Sequence, residues 1–117
     1  MAGITTHILD SNRGRPVAGV RIDLSIRLGE GWTLVKSATT NQDGRTDAPL
    51  VRPEDARLGE YELVFHVDEY LRSQAGAGDP APFIDRPAVR FSVFDVKQHY
   101  HVPLLCTPGS CSTYRGS

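Results

Sequence analysis

The sequence predicts an all-β fold: an antiparallel β-sandwich of about seven or eight short strands with one short helix. Three observations carry that prediction. Apolar residues recur at every second position in several segments, most clearly from Val20 to Leu28. Turn-forming clusters such as Gly29-Glu30-Gly31 and Asn41-Gln42-Asp43-Gly44 separate those segments. Only the stretch from about Asp68 to Gln74 turns toward helix formers.

The first strand runs from Ile4 to Leu9, with Ile4, Thr6 and Ile8 on one face and Thr5, His7 and Leu9 on the other. Asp10 to Gly14, with Pro16 behind it, is a loop by composition. In the strand Val20 to Leu28, the residues Val20, Ile22, Leu24, Ile26 and Leu28 share the apolar face, the mark of a half-buried antiparallel strand. Trp32 to Thr40 is β-branched and polar and reads as the return strand, with weaker alternation. Asn41 to Gly44 is the next turn, and Arg45 leaves it. Thr46 to Gly59 holds two prolines and several charges, so it is expected to be loop with at most a short strand. Glu60 to Asp68 alternates again, with Tyr61, Leu63, Phe65 and Val67 on one face. A two-turn helix follows, anchored by Tyr70 and Leu71 and ended by the flexible run Ala75 to Pro82. Ala88 to Asp95 is a strand, with Val89, Phe91 and Val93 set against Arg90, Ser92 and Phe94. The next strand sets Tyr100, Val102, Leu104 and Cys106 against His99, His101, Pro103 and Leu105. Thr107 to Ser110 turns the chain, and Cys111 to Gly116 is expected to close the sheet.

The 117 residues suit a single domain, 1–117, long enough to build a core without metal or disulfide staples. At 39% hydrophobic and 23% charged the balance is globular, so disorder is not expected. A net charge of −1 gives no electrostatic case for nucleic acid or an anionic membrane as partner. The longest apolar run, Val102 to Cys106, is about five residues and far too short to span a bilayer. Met1 to Ile4 lacks the charged and hydrophobic regions of a signal peptide, and a cytoplasmic location is the expectation. Cys106 and Cys111 lie at the two ends of a turn; opposed strand ends can hold a disulfide, but a reducing compartment favours two buried or half-buried thiols. No Cys/His spacing resembles a zinc site, so no metal is expected.

Two of the four histidines and a polar ending cluster in the last nineteen residues, His99 to Ser117. If Tyr100, Val102 and Leu104 fill the core, His99 and His101 point outward beside Pro103 and Leu105. An outward face that mixes imidazoles with apolar groups suits contact with another subunit. Taken singly, the polar candidates have ordinary readings. A lone His on a strand, such as His7, is more often a surface or hydrogen-bonded residue than a catalytic one. His66 reads as plain surface, Arg45 and Arg115 as solvated charges, and Asp43-Gly44 as a turn signal.

Resemblance selects among these candidates. Three segments carry it: Thr6-His7-Ile8-Leu9-Asp10 with Gly14-Arg15-Pro16-Val17-Ala18-Gly19-Val20; Thr40-Asn41-Gln42-Asp43-Gly44-Arg45; and His99-Tyr100-His101-Val102-Pro103-Leu104-Leu105 with Ser112-Thr113-Tyr114-Arg115-Gly116-Ser117. In these, and in the order of its strands, the chain resembles the 5-hydroxyisourate hydrolases, transthyretin-like enzymes of urate breakdown. The resemblance covers essentially the whole chain and departs in one place. The family usually places Ser-Pro-Tyr-x-Tyr before its terminal motif, where this chain has Thr107-Pro108-Gly109-Ser110-Cys111 and lacks both tyrosines.

The resemblance implies a transthyretin-like (prealbumin-like) sandwich assembled as a homotetramer, a dimer of dimers, with sites at the dimer–dimer interface and no cofactor or metal. It implies hydrolysis of 5-hydroxyisourate to 2-oxo-4-hydroxy-4-carboxy-5-ureidoimidazoline. Its catalytic residues map to His7, Arg45, His101 and Ser117, and its substrate-binding residues to Tyr114, Arg115 and Gly116. One histidine would activate water, since imidazole exchanges protons near neutral pH. Arg45 would steady the oxyanion. Ser117, the last residue of the sequence, would offer a hydroxyl and a carboxylate together. Two other readings share the fold: a non-enzymatic transthyretin-like carrier of small ligands, and a structural adaptor resembling carboxypeptidase regulatory-like domains, to which the run Thr40 to Leu63 is similar. The joint presence of His7, Arg45, His101 and the terminal motif favours the enzyme.

Overall fold

Alternation decides which side chains of each strand leave water, and in the computed structural model, which describes residues 3–116, it does so nearly everywhere the sequence proposes. The elements are β1 (Gly3–Asp10), β2 (Arg15–Pro16), β3 (Arg21–Leu28), β4 (Gly31–Thr39), β5 (Gly59–Phe65), α1 (Asp68–Gln74), β6 (Ala88–Val93), β7 (His99–Cys106) and β8 (Cys111–Thr113). They form two four-stranded sheets, one in the order β2-β1-β7-β8 and the other β4-β3-β5-β6. Ile4, Ile8, Tyr100, Val102, Leu104 and Cys106 of the first sheet belong to the same core as Ile22, Leu24, Ile26, Tyr61, Leu63 and Phe65 of the second. Strand β4 is almost entirely exposed, which explains its weak sequence pattern: it lies at a sheet edge, where no face is fully covered.

The helix forms where expected. Asp68 and Glu69 sit in its first turn and Arg72 in its last, each complementing the helix dipole. Leu71 is buried, and the buried Asp68 carboxylate accepts from Arg86 Nε at 3.1 Å and Arg72 Nη2 at 3.2 Å. The Arg86 hydrogen bond and charge hold that carboxyl below its usual range, against the pull of burial. Tyr70 donates to Asp10 Oδ2 at 2.6 Å, while Asp10 Oδ1 accepts from the backbone N–H groups of Asn12 and Arg13, both at 3.0 Å. The helix is thereby tied to the end of β1.

Several expectations are corrected. The pairing of β1 with β7 is parallel, so the sandwich is not wholly antiparallel. These strands come from opposite ends of the chain, and no tight turn obliges them to run in opposite directions. Leu28 is 51% exposed rather than part of the core, because it pairs with Gly31 at the tip of the β3–β4 hairpin. The 46–58 region, by contrast, is loop as expected, with a 3-10 turn at Pro53–Asp55 and an isolated bridge from Val51 to Ile4. His66 is not plain surface: its Nε2 lies 2.8 Å from Asp23 Oδ2, whose other oxygen accepts from Ser37 and Arg21. Cys106 is buried but Cys111 is exposed; both are free, although they pair directly across β7 and β8. Burial pushes the Cys106 thiol up to about 11.

Strand β8 ends at Thr113, three residues sooner than expected, and Pro103 supplies the reason. Cys106 C=O accepts from Ser11 N–H on the β1 side, so the backbone groups of residues 105, 103 and 101 face β8. Residue 103 should therefore donate across the ladder, but proline has no N–H. Its carbonyl accepts instead from Thr113 Oγ1 at 2.7 Å, and pairing returns only where Gly116 N–H donates to His101 C=O at 2.8 Å.

Leu63 is fully buried on β5, a central strand of its sheet. Leu63→Ala should cost about 2–5 kcal/mol of stability. Urea unfolding checks this: the midpoint should fall while the slope stays constant, and an unchanged midpoint would show that the core does not close around β5.

Candidate active site

His7, Arg45 and His101 come from three distant segments and meet on the outer face of the β1–β7 pair. On β1, Thr5, His7 and Leu9 are all half-buried and alternate with Ile4, Thr6 and Ile8, which are in the core. Parallel pairing sets Thr5 opposite His101 and His7 opposite Pro103. Both imidazoles therefore stand on one face, one residue pair apart along the sheet. His101 is half-buried and His99 exposed, and their rings stack with centroids 6.5 Å apart. Pro103 shares that face but is buried, contrary to expectation.

Arg45 arrives through a turn docked on β1. The Asn41 side chain accepts from the N–H groups of Asp43 (2.9 Å) and Arg45 (3.2 Å), and Gly44 N–H returns to Asn41 C=O at 2.9 Å. Ile8 N–H then donates to Gly44 C=O at 2.8 Å, stitching the turn to the strand beside His7. Gly44 has φ +73°, and a Cβ there would stand 2.5 Å from Ile8 C=O and 3.2 Å from His7 Cδ2. The Asp-Gly pair is thus more than a turn signal: the absence of a side chain at 44 lets the arginine loop lie against the strand that carries His7.

Electrostatics join the three residues. Burial and the Arg45 charge hold His7 below its ordinary range, with the Asp43 backbone and carboxylate pulling partly upward. Burial, Arg45, His7 and His99 all lower His101. Both rings therefore stay neutral at pH values where a free imidazole, titrating near ~6.5, takes a proton. A neutral imidazole can accept a proton, and the adjacent guanidinium offers fixed positive charge. That combination suits attack of water on a polarised carbonyl. No group of three or more His, Cys, Asp or Glu side chains able to hold a metal is found among the described residues.

The terminal motif divides. Gly116 lies against His101: its N–H holds the His101 carbonyl, and a Cβ at 116 would fall 2.5 Å from His101 Cδ2. Arg115 turns back onto its own chain. It donates to Gln98 Oε1 at 2.8 Å and His99 C=O at 3.0 Å, and its guanidinium lies 4.6 Å from the Tyr100 ring centroid and 5.6 Å from that of Phe94. Tyr114 is exposed and lines, with Arg115, a groove of about 220 Å³ between the β6 and β8 edges. Ser117 lies outside the described residues. A wider groove, about 780 Å³, sits elsewhere, between β4 and the 48–57 loop, and carries no histidine. On the imidazole face His99 and Arg45 are exposed, while His7 and His101 are half-buried. Thr5, His99 and Gly44 belong to the site but were not singled out from sequence. The strand alternation that placed Thr5 beside His7 was the available signal, and the register that sets it against His101 was not.

The two-sheet sandwich is that of a transthyretin-like protein. The family model described as "HIUase/Transthyretin family" matches residues 4–116, and the chain belongs to that family. It is 53% identical over 115 residues to a 5-hydroxyisourate hydrolase of Deinococcus radiodurans, covering 98% of this chain and 96% of that one. Among solved structures, an (S)-allantoin synthase superposes with TM-score 0.88 at 38% identity, over 99% of this chain and 44% of that chain. Sea bream transthyretin in complex with thyroxine superposes with TM-score 0.85 at 26% identity, over 97% and 94% of the two chains. No helix among the described residues is long and apolar enough to cross a membrane.

Gly116→Ala should displace the His101 ring, since the added methyl would occupy the place of its Cδ2. The expected outcome is a shift in the His101 ring resonances with little loss of melting temperature. Unmoved resonances would show that the strand end yields instead of the ring.

Proposed function

We propose that this chain hydrolyses 5-hydroxyisourate to 2-oxo-4-hydroxy-4-carboxy-5-ureidoimidazoline. The observation that carries the reading is the meeting of His7, Arg45 and His101 on one face, with both imidazoles kept neutral by burial and by Arg45. Names of relatives supply the substrate: a chain 53% identical is called a 5-hydroxyisourate hydrolase.

In this reading a neutral imidazole takes a proton from water as the oxygen attacks the ring carbonyl. Arg45 faces the oxygen on which negative charge develops; a positioned donor of this kind is worth about 3–4 kcal/mol of barrier. The second imidazole orients the water, and the proton taken from the water passes from the imidazolium to the departing nitrogen as the C–N bond breaks. His101 is the better base, because its other ring nitrogen is already held within the chain at 2.8 Å from Thr5 Oγ1. Ser117 contributes through its hydroxyl, and Tyr114 contacts substrate. Gly116 serves by leaving room for His101. Arg115, with donors engaged by Gln98 and His99, holds the motif against β7. Because His99 and Arg45 are exposed on a single chain, we place the complete cleft at a dimer–dimer interface of a homotetramer. A cytoplasmic location accompanies the reading.

The decisive assay generates 5-hydroxyisourate from urate enzymatically and follows its ultraviolet decay with and without the protein. Accelerated decay supports the hydrolase; an unchanged rate together with tight thyroxine binding would favour a carrier. His101→Ala should lower turnover by about 10²–10⁴-fold while leaving the melting temperature nearly unchanged. A large fall in melting temperature would mark His101 as structural.

The depressed imidazoles set the sign of the pH response. With folded values below the ordinary ~6.5, the acid limb of kcat/KM should lie below that pH. An acid limb at or above it contradicts the assignment. Stability follows the same sign. Unfolded chains bind these protons first, so the stability present above ~6.5 declines as pH falls through the lowered folded values.

A further inference from the structure

One hydroxyl stands between two imidazoles. Thr5 Oγ1 is 2.8 Å from His101 Nδ1 and 3.0 Å from His99 Nε2. A threonine hydroxyl carries one proton and two lone pairs, so it donates to one ring at most. A neutral imidazole has one donor nitrogen and one acceptor, whereas a protonated imidazole has two donors and no acceptor. The three groups therefore cannot choose their proton positions independently.

Two arrangements satisfy all three groups within the chain; a third, in which both rings donate to Thr5, leaves the Thr5 proton with no acceptor among the described residues. In the first, His101 Nδ1–H donates to Thr5, and the Thr5 hydroxyl donates to His99 Nε2. His101 Nε2 then has no proton and is free to accept one. In the second, His99 Nε2–H donates to Thr5, and Thr5 donates to His101 Nδ1. His101 then carries its proton on Nε2 and cannot act as a base there. Protonation of His99 excludes the first arrangement, because both its nitrogens must donate.

We propose that Thr5 is a positioning residue that ties the tautomer of His101 to the proton state of His99, leaving His101 Nε2 free as base only while His99 is neutral. This rests on the hydrolase reading for its catalytic consequence but not for the coupling itself. The geometry favours such a device. Thr5 is fixed by the β1–β7 register, opposite His101 and next to Gly3, the partner of His99. Gly116 lies close along the Cδ2 edge of the His101 ring and limits its movement on that side. His99 is exposed and exchanges protons with solvent, while His101 is half-buried. The other charged or titratable groups acting on His101 are His7 from β1 and Arg45 from the turn; Arg115 grips the His99 carbonyl. The Asp of a Ser-His-Asp triad fixes an imidazole tautomer in a comparable way. Here the holder is a neutral hydroxyl whose own proton depends on a second histidine.

The test uses the full chain labelled with ¹⁵N-histidine, and reads the tautomers of His99 and His101 by long-range ¹H–¹⁵N correlation across pH. In the wild type, neutral His101 should carry its proton on Nδ1 while His99 is neutral, and move toward Nε2–H as His99 becomes doubly protonated. Thr5→Val keeps the branched shape and removes the hydroxyl, so the tautomer of His101 should cease to follow His99. Thr5→Ser should restore the coupling. His99→Phe gives a second route should Thr5→Val not fold, and should abolish the tautomer change. Kinetically, Thr5→Val should lower kcat by about tenfold or more, with KM within about threefold, and Thr5→Ser should recover most of it. A His101 tautomer that tracks His99 equally in wild type and Thr5→Val, or one that never responds to His99, would overturn the proposal. Failure of the wild type to accelerate 5-hydroxyisourate decay would instead sink the hydrolase reading, and the tautomer measurement would stand or fall without it.

Discussion

The parallel register between β1 and β7 is the constraint on which the rest depends. It joins strands from the two ends of the chain, from Gly3 opposite His99 to Asp10 opposite Cys106. One face of the pair, with Ile4, Ile8, Tyr100, Val102 and Leu104, is buried against the other sheet. A slip of one residue would carry that whole set into water and the imidazoles into the core. Thr6 adds a directional lock on the buried side by donating to Val102 C=O at 2.7 Å. Hydrophobic burial, acting on one face, thus places the polar groups of the opposite face. The distance from Thr5 to His101 is a consequence of how Thr6, Ile8, Val102 and Leu104 pack.

Two absent side chains complete what the register begins. At Gly44 the arginine turn approaches β1 closely enough for a backbone hydrogen bond, and at Gly116 the returning strand end approaches the His101 ring. The two approaches differ in kind. Gly44 sits in the left-handed region at φ +73°, so a side chain would be strained there even with open space around it. Gly116 shows no such φ and is excluded by the ring alone. One glycine is required by backbone conformation and contact together, the other by the imidazole it makes room for.

Much of this architecture is legible in the residues. Alternation identified the buried faces of β1, β3, β5 and β7, and the bounds of α1 follow from its composition. What alternation cannot supply is partnership. It shows which face of β1 is apolar but not that β1 lies beside β7, since either sheet could have accepted that face. The errors are local for the same reason. Leu28 keeps the two-residue pattern yet lies beyond the covering sheet, at the hairpin tip. His66 lies opposite the core face as expected, but the Asp23 carboxylate that binds it belongs to β3, forty-three residues away in sequence. Arg115 reads from its neighbours as a solvated charge, because nothing in them announces that the Tyr100 and Phe94 rings lie against it. Resemblance named His7, Arg45 and His101; it did not mark Thr5, whose proposed role arises only from distances.

The electrostatic design of the site is economical. A catalytic imidazole must be neutral to accept a proton, and the group that stabilises an oxyanion must be positive. In the proposed reaction Arg45 serves both ends. Its charge opposes protonation of His7 and His101, and burial adds to the effect. The same charge is available to a carbonyl oxygen that becomes negative as water attacks. Had a carboxylate occupied that position, it would have raised both imidazoles and repelled the developing oxyanion. A carrier built on the same sandwich has no use for this balance, because binding a ligand requires neither a proton acceptor nor a transition-state charge. On such a sandwich the proposed hydrolase would depend on a few residues on the outer face of one sheet, which fold alone does not supply.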